Sequence, residues 1–215
     1  MTTTQNIVSR EDFEAARVAL LAEEKALTRA KDALAAKRRA MPAVRVDKDY
    51  KFSTAAGEVG LVDLFDGRRQ LIVYHFMYGP GATVGCSGCS FLIDNLGHLA
   101  HLYARDTSFV VTSRASLSDT AAFRARMGWT DVPWVSCSDE FAVDLGAHTP
   151  DGDRPTISVY LRDGDEVLHT YTTQDRGAEV FLGTYNWLDL TALGRQEEGL
   201  DYPQQWWRFH DEFAN

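Results

Sequence analysis

Three things are scarce in this chain of 215 residues, and each scarcity removes a class of function. Positive charge is the first: 22 Lys and Arg stand against 31 Asp and Glu, a formal charge of −9. Phosphate backbones are held by clustered cations, so a nucleic-acid partner is not expected. Long apolar runs are the second, since none approaches the ~20 residues that a membrane-spanning helix needs. The opening stretch MTTTQNIVSREDFE also lacks the basic and apolar regions of a secretory signal, which points to a cytoplasmic setting. Cysteine is the third, at 3 residues. In a reducing compartment these are not expected as structural staples, and a Cys-x-x-Cys there serves catalysis or a metal. Internal repeats and low-complexity segments are absent as well. An apolar content of 45% over this length suffices for one sizeable core.

What is present begins with one long helical pattern over residues 9–40. Ser9 is a good N-cap with Asp12 three positions on, acidic residues fill the first half, and Lys37, Arg38 and Arg39 close the last turn. Phe13, Leu20, Leu27 and Leu34 recur every seven residues, but the alternate positions include Glu23 and Lys37. This narrow stripe suits packing along the helix's own domain, or a homodimer through the helix, better than a long coiled coil. Met41-Pro42 ends it.

Short strands and helices alternate from residue 44. LIVYHFM (71–77) and TSFVVTS (107–113) read as strands buried on both faces, and PWVSC (133–137) as a third. Residues 87–104 read as one helix, and Ser118 to Met127 as another, capped by Ser118 and stopped by Gly128. TISVYL and EVLHTY flank the turn signal Asp163-Gly164, and a helix is expected over about 176–189. The chain ends in an aromatic cluster, WWRFHDEF. The order predicts an α/β sheet with an antiparallel edge. It divides the chain into a helical extension (1–43), an α/β domain (44–190) and a tail packing on that domain (191–215).

The chemistry centres on GATVGCSGCS, residues 81–90. Cys86 stands at the end of a glycine-rich turn after a core strand, and Cys89 lies one helical turn further in. Free N–H groups and the dipole at a helix N-terminus favour a thiolate at Cys86. Cys89 is placed to resolve a mixed disulfide. Pro155, opening a strand after Arg154, is a candidate for shaping a substrate edge. Three alternatives stay beside this redox reading. His98 and His101 follow Cys89 with a spacing that suggests zinc, but a continuous helix separates Cys89 and His98 by about 13 Å, too far for one metal. His75 could tune Cys86, or be a hydrogen-bonded core residue. Cys137 reads as a small buried hydrophobe. No cofactor or metal is expected.

Strand LIVYHF, the CSGC pair opening a helix, strand TSFVVTS and RPTISVYLRDGDEVLHTY with a last helix resemble the thioredoxin-like fold, in which a cis-proline faces the active-site pair. GCSGCSFLIDNLGHLAHLYARDTSFVVTSR, FRARMGWTDVPWVS and LGTYNWLDLTALGR look like a bacterial thioredoxin-like family, domain of unknown function 899. The resemblance spans nearly the whole chain and implies a thioredoxin-like mixed sheet flanked by helices, with a redox role for the cysteine pair. Members usually carry proline inside the pair, where this chain has Ser87-Gly88. On these grounds the expected activity is thiol–disulfide oxidoreduction. Pro80 to Cys86 also resembles the peroxiredoxin loop, with Thr83 three before the cysteine and Arg154 as the superfamily's arginine, although the loop is one residue short. A thiol peroxidase is therefore the alternative activity, with a disulfide or a peroxide as substrate. A non-catalytic scaffold, using the long helix and the WWRF cluster as partner surfaces, is the third reading.

Overall fold

A computed structural model describes residues 5–213; the first residues of the N-terminal extension and the end of the tail lie outside it. The elements in chain order are α1 (Arg10–Arg39), β1 (Val44–Arg45), β2 (Lys51–Thr54), β3 (Gly57–Gly60), β4 (Gln70–His75), α2 (Ser87–Asp94) and α3 (Ala100–Tyr103). There follow β5 (Thr107–Ser113), α4 (Leu117–Arg126), β6 (Trp134–Cys137), α5 (Asp139–Asp144), β7 (His148–Thr149), β8 (Gly152–Asp153), β9 (Thr156–Asp163), β10 (Glu166–Gln174) and α6 (Gly183–Leu188). Eight of the strands form one mixed sheet in the order β1-β10-β9-β4-β5-β6-β2-β3, and β7 and β8 pair apart from it.

The central strands run as their composition requires. β4, β5 and β6 are parallel, with Tyr74 beside Val111 and Val111 beside Trp134. β9 lies antiparallel on the other side of β4 and continues into β10. All seven residues of β5 are buried, because the sheet is covered on both faces. Period-two alternation sorts the side chains of β4 and of Phe76 just after it. Tyr74 and Phe76 enter a core under α2 and α4, whereas Leu71 and Val73 enter a second core with Phe52, Phe141 and Tyr160. The strand–helix–strand unit β4-α2-β5 with the β9-β10 hairpin at its flank is the thioredoxin-like arrangement, so the expected fold is realised. The hairpin turn is Gly164-Asp165, one residue later than the signal suggested, with Gly164 at φ +63° supplying the left-handed first position.

Four local readings are corrected. The helix expected over 87–104 breaks into α2 and α3 around Gly97. The cap of α4 is Ser116, whose hydroxyl accepts the Asp119 N–H at 3.1 Å, and not Ser118. Gly128 does stop that helix, at φ +67°. The single helix expected near 176–189 is a 3-10 segment, Asp175–Phe181, followed by α6. The long helix α1 is capped by Ser9 as expected, but none of its residues is buried. Its stripe finds no cover in its own domain.

The tail is strapped across α2 and α4. Trp206 and Trp207 pack on Phe91 at centroid distances of 5.6 and 5.2 Å, and Phe209 packs on Phe123 at 5.3 Å. Arg126 forks onto Asp211 with two contacts of 2.7 Å. Phe213 remains 46% exposed, outside this packing.

Candidate active site

Cys86 is itself the N-cap of α2. Its backbone is extended (φ −72°, ψ 134°), and its Sγ accepts the Cys89 N–H at 3.5 Å. The loop before it is tied back to β4, since the Cys86 N–H donates to the Met77 carbonyl at 3.3 Å. The Cys86 carbonyl receives both the backbone N–H and the hydroxyl of Ser90, at 2.9 and 2.8 Å. A residue that caps a helix with its side chain must hold that side chain over unpaired N–H groups, and here the capping atom is sulfur.

The two thiols differ sharply. Cys86 is half-buried, and its pKa falls to about 6. The Cys89 thiol, acting as a donor, is the main cause, and the backbone N–H groups of Cys89 and Gly88 add to it against the opposing effect of burial. Cys89 is 1% exposed, and burial pushes its pKa well above the ordinary thiol value, helped by the thiolate character of Cys86. Its Sγ accepts the Met77 N–H at 3.5 Å, and the buried Tyr74 hydroxyl lies beside it. Both cysteines are free thiols. The arrangement is an accessible thiolate above a protected thiol. In that state Cys86 is the more readily ionised thiol of the pair and Cys89 the one that keeps its proton.

A cavity of about 270 Å³ opens onto Cys86. Met77, Leu92, Leu182 and Trp207 supply apolar wall, Pro155 is part of the same lining, and Asp175 and Glu179 make it acidic. No Lys or Arg lines it. Trp207 reaches it from the tail, its ring so close to Gly88 that an added Cβ would sit 2.9 Å from two ring carbons. Glycine between the cysteines is therefore a packing requirement of the tail.

Of the residues singled out from sequence, Cys86, Cys89 and Pro155 share this cavity. Thr83 and Arg154 do not. Thr83 is exposed, and Arg154, also exposed, borders a narrow separate cleft with His75, Arg114 and Cys137. No peptide bond among the described residues is cis, so the cis-proline implied by the resemblance is a trans Pro155. Nor is there an open strand edge beside it, because Thr156 pairs with both His75 and Gln174, and the Arg154 N–H donates to Ala147. His75 does not reach Cys86. It points into the opposite core, stacked on Phe141 at 5.3 Å with Ser158 at 3.4 Å, and burial lowers its pKa to about 3. Cys137 lies in that same opposite core, buried, with its pKa raised to about 11 by desolvation. The break at Gly97 does not bring His98 and His101 to the cysteines. Their rings, 6.4 Å apart, line a different apolar cavity of about 380 Å³ that includes neither Cys86 nor Cys89. Among the described residues no group of three His, Cys, Asp or Glu side chains could hold a metal ion.

Tyr74, Met77, Glu179 and Trp207 were missed as site residues. Tyr74 was legible in principle, since strand alternation puts it on the α2 face. Trp207 was not, being more than a hundred residues from the pair.

The family described as bacterial protein of unknown function (DUF899) matches residues 2–213. The chain belongs to that family. No curated protein matches this DUF899 member significantly. Among solved structures, it is similar to peroxidoxin BcpB from Mycobacterium tuberculosis, with 17% identity, a TM-score of 0.46, and coverage of 67% of this chain and 95% of the other. Mycobacterium tuberculosis AhpC is similar at 13% identity and a TM-score of 0.43, covering 71% and 93%. Xanthomonas campestris peroxiredoxin Q gives 15% identity and 0.43, covering 67% and 92%. No helix among the described residues is long and apolar enough to cross a membrane.

Proposed function

We propose that this protein is a thiol–disulfide oxidoreductase acting through Cys86 and Cys89. The observation that carries the reading is the opposed pair of thiols: a half-buried Cys86 with a pKa of about 6, capped by helix N–H groups, over a fully buried Cys89 held protonated. The Cys86 thiolate attacks one sulfur of a substrate disulfide, forms a mixed disulfide and expels the other sulfur as a thiolate. That thiolate takes up the Cys89 proton as Cys89 attacks Sγ of Cys86. The Cys86–Cys89 disulfide forms, and the second substrate sulfur leaves. The substrate gains two electrons and the protein loses two. Pro155 serves as the wall against which the substrate sulfur lies. An acidic lining without cations favours a neutral or cationic substrate over an anionic one.

A peroxidase would use Thr83 and Arg154 to hold a peroxide, and both lie outside the cavity that contains Cys86. The dithiol reading accounts for the low Cys86 pKa without either residue. The test is an equilibrium titration against glutathione buffers, with free thiols counted by mass spectrometry. A reversible two-electron transition confined to Cys86 and Cys89, between about −180 and −270 mV, is expected. A pair that never closes would leave the scaffold reading in its place.

A further inference from the structure

Helix α1 offers a surface that its own domain leaves uncovered. Its thirty residues extend about 45 Å. Along it Phe13, Leu20, Leu27 and Leu34 are each between 47% and 58% exposed. Its aromatic anchor is near one end, where the Arg38 guanidinium lies 5.3 Å from the Tyr171 ring centre on β10. An exposed apolar line of this length, interrupted only by Glu23 and Lys37, marks an interface.

The charge on the helix says what covers it. Residues 10–24 hold two Arg against five Asp and Glu, a net −3, whereas residues 25–39 hold six Lys and Arg against one Asp, a net +5. Two parallel copies would oppose like charge along their whole length. Two antiparallel copies set each acidic half on a basic half and also align opposed helix dipoles.

We infer that α1 is a homodimerisation element that pairs antiparallel with α1 of a second copy about a two-fold axis near the middle of the helix. The heptad positions then interlock. Leu20 packs on Ala30 of the second copy, Leu34 on Ala16, and Phe13 on the Lys37 stem, over the roughly four heptads that stable pairing needs. Leu27 meets Glu23, the one acidic residue in the seam. The two-fold makes every layer occur twice, as an isologous interface requires. This inference is independent of the redox chemistry, because α1 contributes nothing to the cavity at Cys86.

Sedimentation equilibrium of the reduced full chain tests it, with the wild type, Leu27→Asp and Glu23→Leu compared at low and high salt. Because α1 buries no residue, both variants keep the α/β domain folded, which near-UV circular dichroism verifies. A dimer is expected for the wild type, weakened at least about a hundredfold by Leu27→Asp, since two leucine layers are lost together. Glu23→Leu should tighten it, and salt should loosen the wild type by screening the opposed halves. A wild type that stays monomeric overturns the inference. So does a dimer indifferent to Leu27→Asp, and a dimer strengthened by salt refutes the antiparallel arrangement.

Discussion

Raising the pH from 6 to 9 should stabilise the reduced protein relative to its Cys86→Ser variant. In that window the folded chain carries a thiolate at residue 86, because its pKa is about 6, whereas the unfolded chain carries a thiol with the ordinary value of 9.0. The unfolded state therefore binds one proton more, and stability rises with pH by about 1.4 kcal/mol per unit. A depressed folded pKa gives stability that is fully present above the unfolded value and is lost as the pH falls through the folded one. Three units set a ceiling of about 4 kcal/mol, and solvent at the half-buried sulfur screens part of it, so about 2–4 kcal/mol is expected. Serine is the right reference, since it is a good N-cap and leaves the helix start intact. Titrations remote from the pair cancel in the difference, and Cys89, whose thiol is hydrogen-bonded to Cys86, stays protonated in the folded protein because burial dominates its shift. The assay is urea unfolding under strong reductant at pH steps across the window, with unchanged m-values as the check that only stability moved. A difference that is flat to within about 0.5 kcal/mol would falsify the thiolate assignment and the mechanism built on it.

Other outcomes follow from the same geometry. Cys89→Ala removes the S–H donor that is the main cause of the low Cys86 pKa, so the alkylation profile of Cys86 should shift from a midpoint of about 6 to higher pH; an unmoved midpoint would mean that the backbone N–H groups alone suffice. Gly88→Ala places a methyl 2.9 Å from the Trp207 ring, and should cost about 1–3 kcal/mol and change tryptophan fluorescence, with Trp207→Ala in the same chain relieving the cost. If Gly88→Ala alone is silent, the tail is not seated on the pair. His75, buried neutral with a pKa of about 3 against the usual 6.5, lends stability that is lost as the pH falls between those values, so His75→Phe should flatten that acid limb in a denaturation series. Ser116→Ala should cost about 1 kcal/mol in thermal unfolding while Ser118→Ala costs less, because the Ser116 hydroxyl is the one that caps α4.

Much of the fold was legible because it is encoded locally. The apolar runs 71–77 and 107–113 could only be strands covered on both faces, and the glycine-rich turn into Cys86 had to open a helix. That the pair sits at a helix start, with Cys86 at the cap and Cys89 in the first turn, follows from the glycine-rich turn after a core strand. The misplaced elements failed where local signals were nearly balanced. Ser116 and Ser118 are equally good caps, and the backbone decides between them. Leu92, Leu96 and Leu99 continue a helical period through Gly97, yet the chain breaks there.

The sequence by itself determined the strand order in time, the dithiol and its place at a helix start, because each depends on neighbours within a few positions. Tertiary structure alone decided which side chains meet that dithiol. It set Trp207 on Gly88, buried Cys137 in the other core, and left Arg154 and Thr83 outside the cavity. The physical reason is that a thiol's ionisation depends on its burial and on the donors around it. Those are supplied by residues far apart in the chain, brought together only when the sheet and tail close over one another.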